Sequence, residues 1–239
     1  MITRGMSYEE IVEEFRKDDN SSHFLSWWAR LNKNKNYYRH ILKHARNRMH
    51  IFRPIQYKSP RGNDYMMIPQ SFGLSHYKKY GLSIHNYLYY RIDGSDYYVM
   101  SPTDMVRGFS ENLSIHNEGY TFYTPHFFDR YQERCLGGLR MPRLDLIHKF
   151  ITDNFNQSLI TSSEDLDLLN DNYPNSYYSY CASGIILGNF LNPSRSIVLA
   201  STIITQDMLK GDQDKKLAAM KRGYEEVKGS IKYPIIPLF

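Results

Sequence analysis

A β-hairpin pattern between Asn86 and Ser101 restricts the fold more than any other feature of this sequence. Apolar and aromatic side chains dominate Tyr87–Ile92 and Tyr97–Met100, and the turn Asp93-Gly94-Ser95 separates the two runs. Aromatic and β-branched side chains favour strands, and an Asp-Gly pair adopts the positive φ angles that tight hairpins require. The segment therefore predicts two antiparallel strands and excludes an all-helical fold.

A second hairpin is predicted in the most apolar part of the chain. The runs Tyr177–Leu191 and Ser196–Thr205 flank turn residues 192–195, whose sequence is Asn-Pro-Ser-Arg. Gly184 and Gly188 within the first run indicate a bulged strand, because a missing side chain lets another backbone approach closely. Shorter strands are predicted at Tyr65–Ile68 and Gly119–Tyr123.

Helix signals occupy the N-terminal segment and the middle of the chain. Ser7 and Glu10 have the spacing of a capping box, in which each side chain bonds the backbone N–H of the other residue. Apolar side chains at helical spacing predict the remaining helices. The predicted helices run from Ser7 to about Lys17, onward from Ser21 or Ser22, and near Asn36–Met49, Pro125–Cys135, Pro142–Phe155 and Thr205–Lys228.

These patterns together predict an α+β fold. We expect a helical basic N-terminal region of residues 1–52, followed by a mixed body of residues 53–239 in which antiparallel β-hairpins pack against helices. Two cysteines are too few for a disulfide framework and fit a reducing compartment. Because no run of about 18 apolar residues is present, we expect a cytoplasmic protein with no membrane partner.

The segment from Asn20 to Asn63 has an unusual charge pattern, with ten Lys or Arg residues, seven aromatic residues and no Asp or Glu. The net charge of the chain is only +5, so the position of the charge is more informative than its amount. A surface without acids suits a nucleic-acid backbone, because basic side chains gain affinity by displacing its counterions. We therefore expect a nucleic-acid partner, with RNA favoured over DNA. The predicted nucleic-acid-binding residues are Arg39, Lys43, Arg46, Arg48 and Arg53.

A candidate catalytic row lies on the helix predicted at Pro125–Cys135. Thr124 can cap this helix, which places His126 in the first turn. Arg130 and Arg134 follow one and two turns later on the same arc. An imidazole can take a proton, and guanidinium groups can hold phosphate and stabilise the charge on its oxygens. This combination suits metal-independent RNA cleavage, in which the 2′-hydroxyl attacks the adjacent phosphorus.

The order of these elements resembles the superfamily of small endoribonuclease toxins that includes the barnase, EndoU, colicin-type and RelE-type enzymes. The resemblance consists of a His-x-x-x-Arg-x-x-x-Arg helix, a second helix and an apolar hairpin that ends in Ser201 and Thr202. It implies an endoribonuclease that needs no metal, and we expect no cofactor. The implied roles are acid or base for His126, phosphate clamps for Arg130 and Arg134, and a strand-borne auxiliary for Ser201 or Thr202.

Other interpretations of both features stay open. Arg130 and Arg134 share their arc with Asp129 and Glu133, so the row is also typical of a solvated salt-bridge face. The basic segment is equally typical of an exposed helix face or of an interface for an acidic protein. Beside a ribonuclease, the sequence allows a nucleic-acid-binding module without catalysis, or an assembly protein with a protein partner or self-association. Whether the chain is an enzyme stays open.

Overall fold

A computed structural model of the protein describes residues 1–32, 35–43, 49–92, 94, 96–106, 116–154, 175–209 and 221. Within these ranges the chain forms six α-helices and nine β-strands, so the predicted α+β class is confirmed. The chain divides into two compact units, one containing Met1–Tyr90 and the other beginning at Arg91. None of the helices in these ranges has the length and apolar character needed to cross a bilayer.

The helices described in the first unit are α1 (Tyr8–Asp19), α2 (Ser22–Asn32), α3 (Lys35–Lys43) and α4 (Gly73–Tyr80). The predicted capping box is confirmed at the start of α1, where Ser7 Oγ accepts a hydrogen bond from the Glu10 backbone N–H at 3.2 Å. Glu10 Oε2 in turn accepts one from the Ser7 backbone N–H at 2.7 Å. The prediction that the third helix continues to Met49 is wrong, because Met49 begins a strand.

The strands described in the first unit are β1 (Met49–Ile51), β2 (Ile55–Lys58), β3 (Asp64–Phe72) and β4 (Ser83–Arg91). β3 pairs antiparallel with β1 and β2 along one edge and with β4 along the other. Because Met49 pairs with Phe72, its backbone is used by the sheet and not by another turn of α3. The strand predicted at Tyr65–Ile68 is confirmed within β3. β1 lies inside the predicted region 1–52, and the boundary after residue 52 stays a prediction.

α3 and α4 pack through one apolar cluster. Tyr38 and Leu42 of α3, Tyr77 of α4, and Phe52 and Leu82 from the adjoining segments are all buried. The rings of Tyr38 and Phe52 meet edge to face with their centroids 5.0 Å apart. Burying side chains of this size stabilises a fold by about 1.5 to 3 kcal/mol each, so the cluster holds the two helices in a fixed relation.

A buried polar network joins α1 to the turn before β3. Arg61 Nε and Nη2 donate to the two carboxylate oxygens of Glu14 at 2.9 and 2.6 Å, which makes a bidentate ion pair. Asp18 Oδ2 accepts hydrogen bonds from Asn63 Nδ2 and from the Tyr65 hydroxyl, both at 2.7 Å. Both carboxylates are buried. The Arg61 guanidinium lowers the pKa of Glu14 to about 2.

The strands described in the second unit are β5 (Tyr97–Val106), β6 (His116–Tyr123), β7 (Ser176–Cys181), β8 (Gly184–Phe190) and β9 (Ile197–Ile204). They lie side by side in the order β5-β6-β9-β8-β7. β6 and β9 run parallel, whereas the other neighbours are antiparallel. β9, the last of these strands in the sequence, therefore lies in the middle of the order.

The second predicted hairpin is confirmed in β8 and β9, but the prediction for its first arm is wrong. Residues 177–191 form two strands, β7 and β8, which turn back on each other at residues 182–183. Gly184 follows this turn with a φ of +150°, and a Cβ there would lie 2.3 Å from a carbonyl oxygen of β9. The predicted bulge is confirmed between Leu187 and Gly188, where the register with β9 shifts.

The helices described in the second unit are α5 (Pro125–Cys135) and α6 (Arg143–Asp153). The bounds predicted for α5 are confirmed. The rings of Phe127, Phe128 and Tyr131 are fully buried on one arc of α5. Each packs against Phe150 of α6, with centroids 5.0 to 5.8 Å apart. This aromatic contact leaves the opposite arc of α5, which carries His126, toward solvent.

Three predictions fall wholly or partly outside the described residues. The turn at Asp93-Gly94-Ser95 is described only at Gly94, although the strands predicted on both sides are observed as β4 and β5. The surface connector that we place at residues 156–175 is described only at its last residue. The helix predicted at Thr205–Lys228 is described at residues 205–209, which contain a 3-10 turn, and at residue 221.

Replacing Arg61 with Gln should destabilise the protein more at neutral pH than in acid. The pKa of Glu14 is lower in the folded than in the unfolded chain. The ion pair therefore stabilises the folded protein fully above pH 4.5, and this contribution is lost as the pH falls toward about 2. Since Arg61 is 44% exposed, solvent screens the pair, and the loss should be smaller than for a fully buried ion pair. Urea unfolding at about pH 7 and about pH 3 measures the difference. An equal deficit at both values would contradict the assignment, and Lys58→Gln, which removes an exposed cation, is the control.

Candidate functional site

The first turn of α5 is set by its cap. Thr124 Oγ1 accepts a hydrogen bond from the Phe127 backbone N–H at 3.1 Å, and Pro125 occupies the first helical position. Proline fits there because its fixed φ suits a helix and an N–H at that position has no partner within the helix. His126 is consequently held in the first turn, and its side chain is exposed.

Arg130 contacts both the predicted base and a carboxylate. Its Nε donates a hydrogen bond to His126 Nε2 at 3.4 Å, and its Nη1 donates one to Glu133 Oε2 at 2.6 Å. The salt-bridge face that the sequence allowed is therefore present for Arg130. Because Glu133 is 62% exposed, this ion pair is solvated and contributes little to stability.

Arg134 ties α5 to β9. Its Nη1 donates hydrogen bonds to Thr202 Oγ1 at 3.0 Å and to the Ile203 carbonyl oxygen at 2.9 Å. The structure thus brings together an arginine and a strand hydroxyl, as the resemblance implies. Ser201, the other candidate, precedes Thr202 on the same strand, and successive side chains of a strand point to opposite faces of the sheet. Thr202 is the better candidate of the two.

The four predicted catalytic residues form two separate contacts. His126 touches Arg130, and Arg134 touches Thr202, but the eight residues from His126 to Arg134 correspond to about 12 Å along the helix. Among the bonds of the described residues, none joins the two pairs. The nearest members of the two pairs are Arg130 and Arg134, which are one turn, or about 6 Å, apart along α5.

Asp129 pairs with α6, whereas the salt-bridge interpretation expected a partner on its own helix. Its Oδ1 accepts a hydrogen bond from Arg143 Nη2 at 2.6 Å, and Arg143 also donates to Asp96. These ion pairs hold the start of α6 against α5. Arg143 lies 14 residues from Asp129 in the sequence, so helical spacing along α5 gave no signal of this contact.

Replacing Arg134 with Ala should cost about 2 kcal/mol of stability, because charge-assisted hydrogen bonds to two oxygens of β9 are lost. The matched control is Arg130→Ala, which removes the same side chain from a solvated pair and should cost about 0.5 kcal/mol. Denaturant unfolding measures both variants. Equal losses would show that the bonds to β9 do not hold α5 in place.

An open cleft of about 570 Å³ lies between α3 and α4, and we call it the basic cleft. Arg39 and Lys43 line it from α3, and Lys78 lines it from α4. All three side chains are exposed, and none of them forms a salt bridge with a carboxylate of the described residues. The other lining residues are Asn36, His40 and Leu74.

Lys78 is the functional candidate that sequence reasoning missed. It lies beyond the acid-free segment, and it reaches the basic cleft only because Tyr77 packs against Tyr38, with ring centroids 6.0 Å apart. The adjacent lysines Lys78 and Lys79 at the end of a helix were the local signal. A pair of lysines on an exposed helix end is too common to indicate a site without the fold.

Of the other predicted nucleic-acid-binding residues, only Arg53 is described, and it is not among the residues that line the basic cleft. Arg53 is exposed in the segment after β1, and Arg46 and Arg48 lie outside the described residues. Two further cations of the acid-free segment, Lys58 and Arg61, pair with carboxylates from outside it. Within the described residues, the predicted surface contributes Arg39 and Lys43 of α3 to the basic cleft, and α4 adds Lys78.

Comparison of the chain with protein-family models, with curated proteins and with solved structures finds no match. No family therefore supplies roles for the residues, and the resemblance to endoribonuclease toxins stays a prediction. The basic cleft and the outer arc of α5 have to be judged on geometry and charge.

In the described ranges, neither the cysteines nor the metal-binding residue types form a further site. Cys135 and Cys181 are free thiols, and burial raises their pKa values to about 11 and about 12. Both thiols are thus protonated at neutral pH and are poor nucleophiles. No group of three or more His, Cys, Asp or Glu side chains comes together there in a way that would hold a metal ion.

Proposed function

We propose that the protein binds nucleic acid through phosphate contacts in the basic cleft. The observation that carries this proposal is the convergence of Arg39, Lys43 and Lys78 from two helices on one open cleft without a carboxylate partner among the described residues. Cations gathered in this way repel one another unless anions screen them. A polyanion binds there with a gain in free energy, because its condensed counterions are released.

The position of the cleft favours a binding role over an ordinary solvated face. Leu74 lines the cleft and also packs against the apolar cluster of Tyr38, Leu42 and Tyr77 behind it. The cations therefore belong to two helices, α3 and α4, whose relative position is fixed by buried contacts. A preorganised array loses less entropy on binding than one carried by a flexible segment.

Replacing Lys43 with Glu should weaken nucleic-acid binding about tenfold or more, because one phosphate contact is lost and a repulsive charge is added. Affinity of the wild type should fall steeply as salt rises. Fluorescence anisotropy with labelled RNA measures both effects, and circular dichroism checks that the fold is kept. The matched control is Lys17→Glu, which changes the net charge equally on an exposed position of α1.

Binding that is absent, or that is insensitive to salt, would overturn this proposal. Equal weakening by Lys43→Glu and Lys17→Glu would show that net charge and not the cleft attracts the polyanion. Absent or salt-insensitive binding would support the alternative role in assembly with a protein partner.

Metal-independent RNA cleavage along α5 is the second candidate function. It is supported by the contact between Arg134 and Thr202 and by the exposure of His126 beside Arg130. In this reaction His126 removes the 2′-hydroxyl proton, the 2′-oxygen attacks phosphorus, and the 5′-oxygen leaves with a proton. The pairing of Arg130 with Glu133 weighs against it, because the carboxylate reduces the positive charge offered to phosphate.

Incubation of purified protein with labelled RNA in EDTA tests this second function. Wild type should produce fragments ending in a 2′,3′-cyclic phosphate, and His126→Ala should be slower by about 100-fold or more. Glu133→Gln should keep or increase the rate, since it releases Arg130 toward phosphate. Cleavage that survives in His126→Ala would indicate a contaminating nuclease, and no cleavage by the wild type would leave binding as the function.

A further inference from the structure

We infer that the basic cleft takes the sugar-phosphate backbone of a double helix and does not hold the bases of a single strand. This inference rests on the proposed binding function and names the form of nucleic acid that is bound. It follows from which side chains line the cleft and which lie elsewhere on the same two helices.

The described lining of the cleft suits phosphates and offers bases no large aromatic ring. Proteins that hold single strands stack successive bases on aromatic rings, which supplies much of the affinity. Of the six described residues that line the basic cleft, none is Phe, Tyr or Trp, and the one ring among them is the imidazole of His40. Three are Lys or Arg, which recognise phosphate oxygens and carry no sequence information in such contacts.

The tyrosines of α3 lie away from the cleft. Tyr37 is 53% exposed, but it precedes Arg39 by two residues, which places it about 200° around the helix from that cleft-lining side chain. Tyr38 is buried in the apolar cluster behind the cleft. Neither ring is among the described residues that line the cleft.

The tyrosines of α4 lie away from the cleft as well. Tyr80 is 59% exposed and follows Lys78 by two residues, so it too lies about 200° around its helix. Its ring packs against His76 at 4.9 Å, and Lys79 Nζ lies 4.8 Å from its centroid. Tyr77 is buried in the same cluster as Tyr38.

The cations line the cleft from both helices, α3 and α4. Arg39 and Lys43 are one turn apart on α3, about 6 Å along the helix axis, and Lys78 faces them from α4. A row of phosphates running between the helices can contact all three. A duplex has the higher linear charge density, so each neutralised phosphate releases about 0.9 counterions, against about 0.7 for a single strand.

The experiment compares a labelled duplex with its two separate strands, in RNA and in DNA. Fluorescence anisotropy over about 50 to 200 mM salt gives the dissociation constant and the slope of log affinity against log salt. The duplex should bind about fourfold more tightly than either strand near 0.1 M salt, because three phosphate contacts raise the slope by about 0.6. Because the backbone alone is recognised, duplexes of different sequence should bind equally, and the RNA and DNA arms show which helical form fits better.

Variants assign the salt dependence to the cleft. The triple variant Arg39→Gln/Lys43→Gln/Lys78→Gln should reduce the slope for the duplex by about 2.7. The matched control Arg16→Gln/Lys17→Gln/Lys58→Gln removes the same charge outside the cleft and should leave most of the slope unchanged. Circular dichroism confirms that both variants keep the fold.

The outcomes separate this inference from the function on which it rests. Single strands that bind as tightly as the duplex, or a loss of single-strand affinity in Tyr37→Ala, would overturn the inference and leave nucleic-acid binding standing. A slope reduced equally by both triple variants would overturn it too. If neither duplex nor single strand binds, the inference and the proposed function both fail.

Discussion

The packing of Tyr38 and Leu42 against Tyr77 determines how far apart α3 and α4 lie, and the basic cleft exists because of that separation. Each helix contributes only one or two cations to the cleft, which is ordinary for an exposed helix. Held together by buried rings, the same side chains face one another across an open space. The apolar contact is thus the cause of the electrostatic feature, since close-packed interiors resist small changes in spacing.

Carboxylates are distributed unequally between the two candidate surfaces. In the first unit, Glu14 and Asp18 are buried and occupied by Arg61, Asn63 and Tyr65, away from the basic cleft. On α5, by contrast, Glu133 forms an ion pair with Arg130, the arginine that would bind phosphate. The first arrangement preserves positive charge where the cations converge, and the second partly cancels it. This difference is the physical reason for ranking binding ahead of cleavage.

Local chemistry explains which elements the sequence could predict. The bounds of α5 follow from Thr124 and Pro125, and the capping box of α1 from Ser7 and Glu10, because caps act within a single helical turn. The end of the third helix could not be predicted, because Met49 pairs in a strand with Phe72, which lies far along the chain. Lys78 was missed for the same reason. Its place at the cleft depends on packing between α3 and α4, and a short stretch of sequence does not show that packing.

The position of β9 has a consequence for how the chain is made. β9 lies between β6 and β8, yet the ribosome releases it after the other described strands of its unit. Until then, β5 with β6 and β7 with β8 are separate ribbons, and β6 and β8 expose edges that pair readily with other chains. Nonlocal pairing of this kind is slow, so the edges of β6 and β8 stay open to pairing with other chains until β9 lies between them.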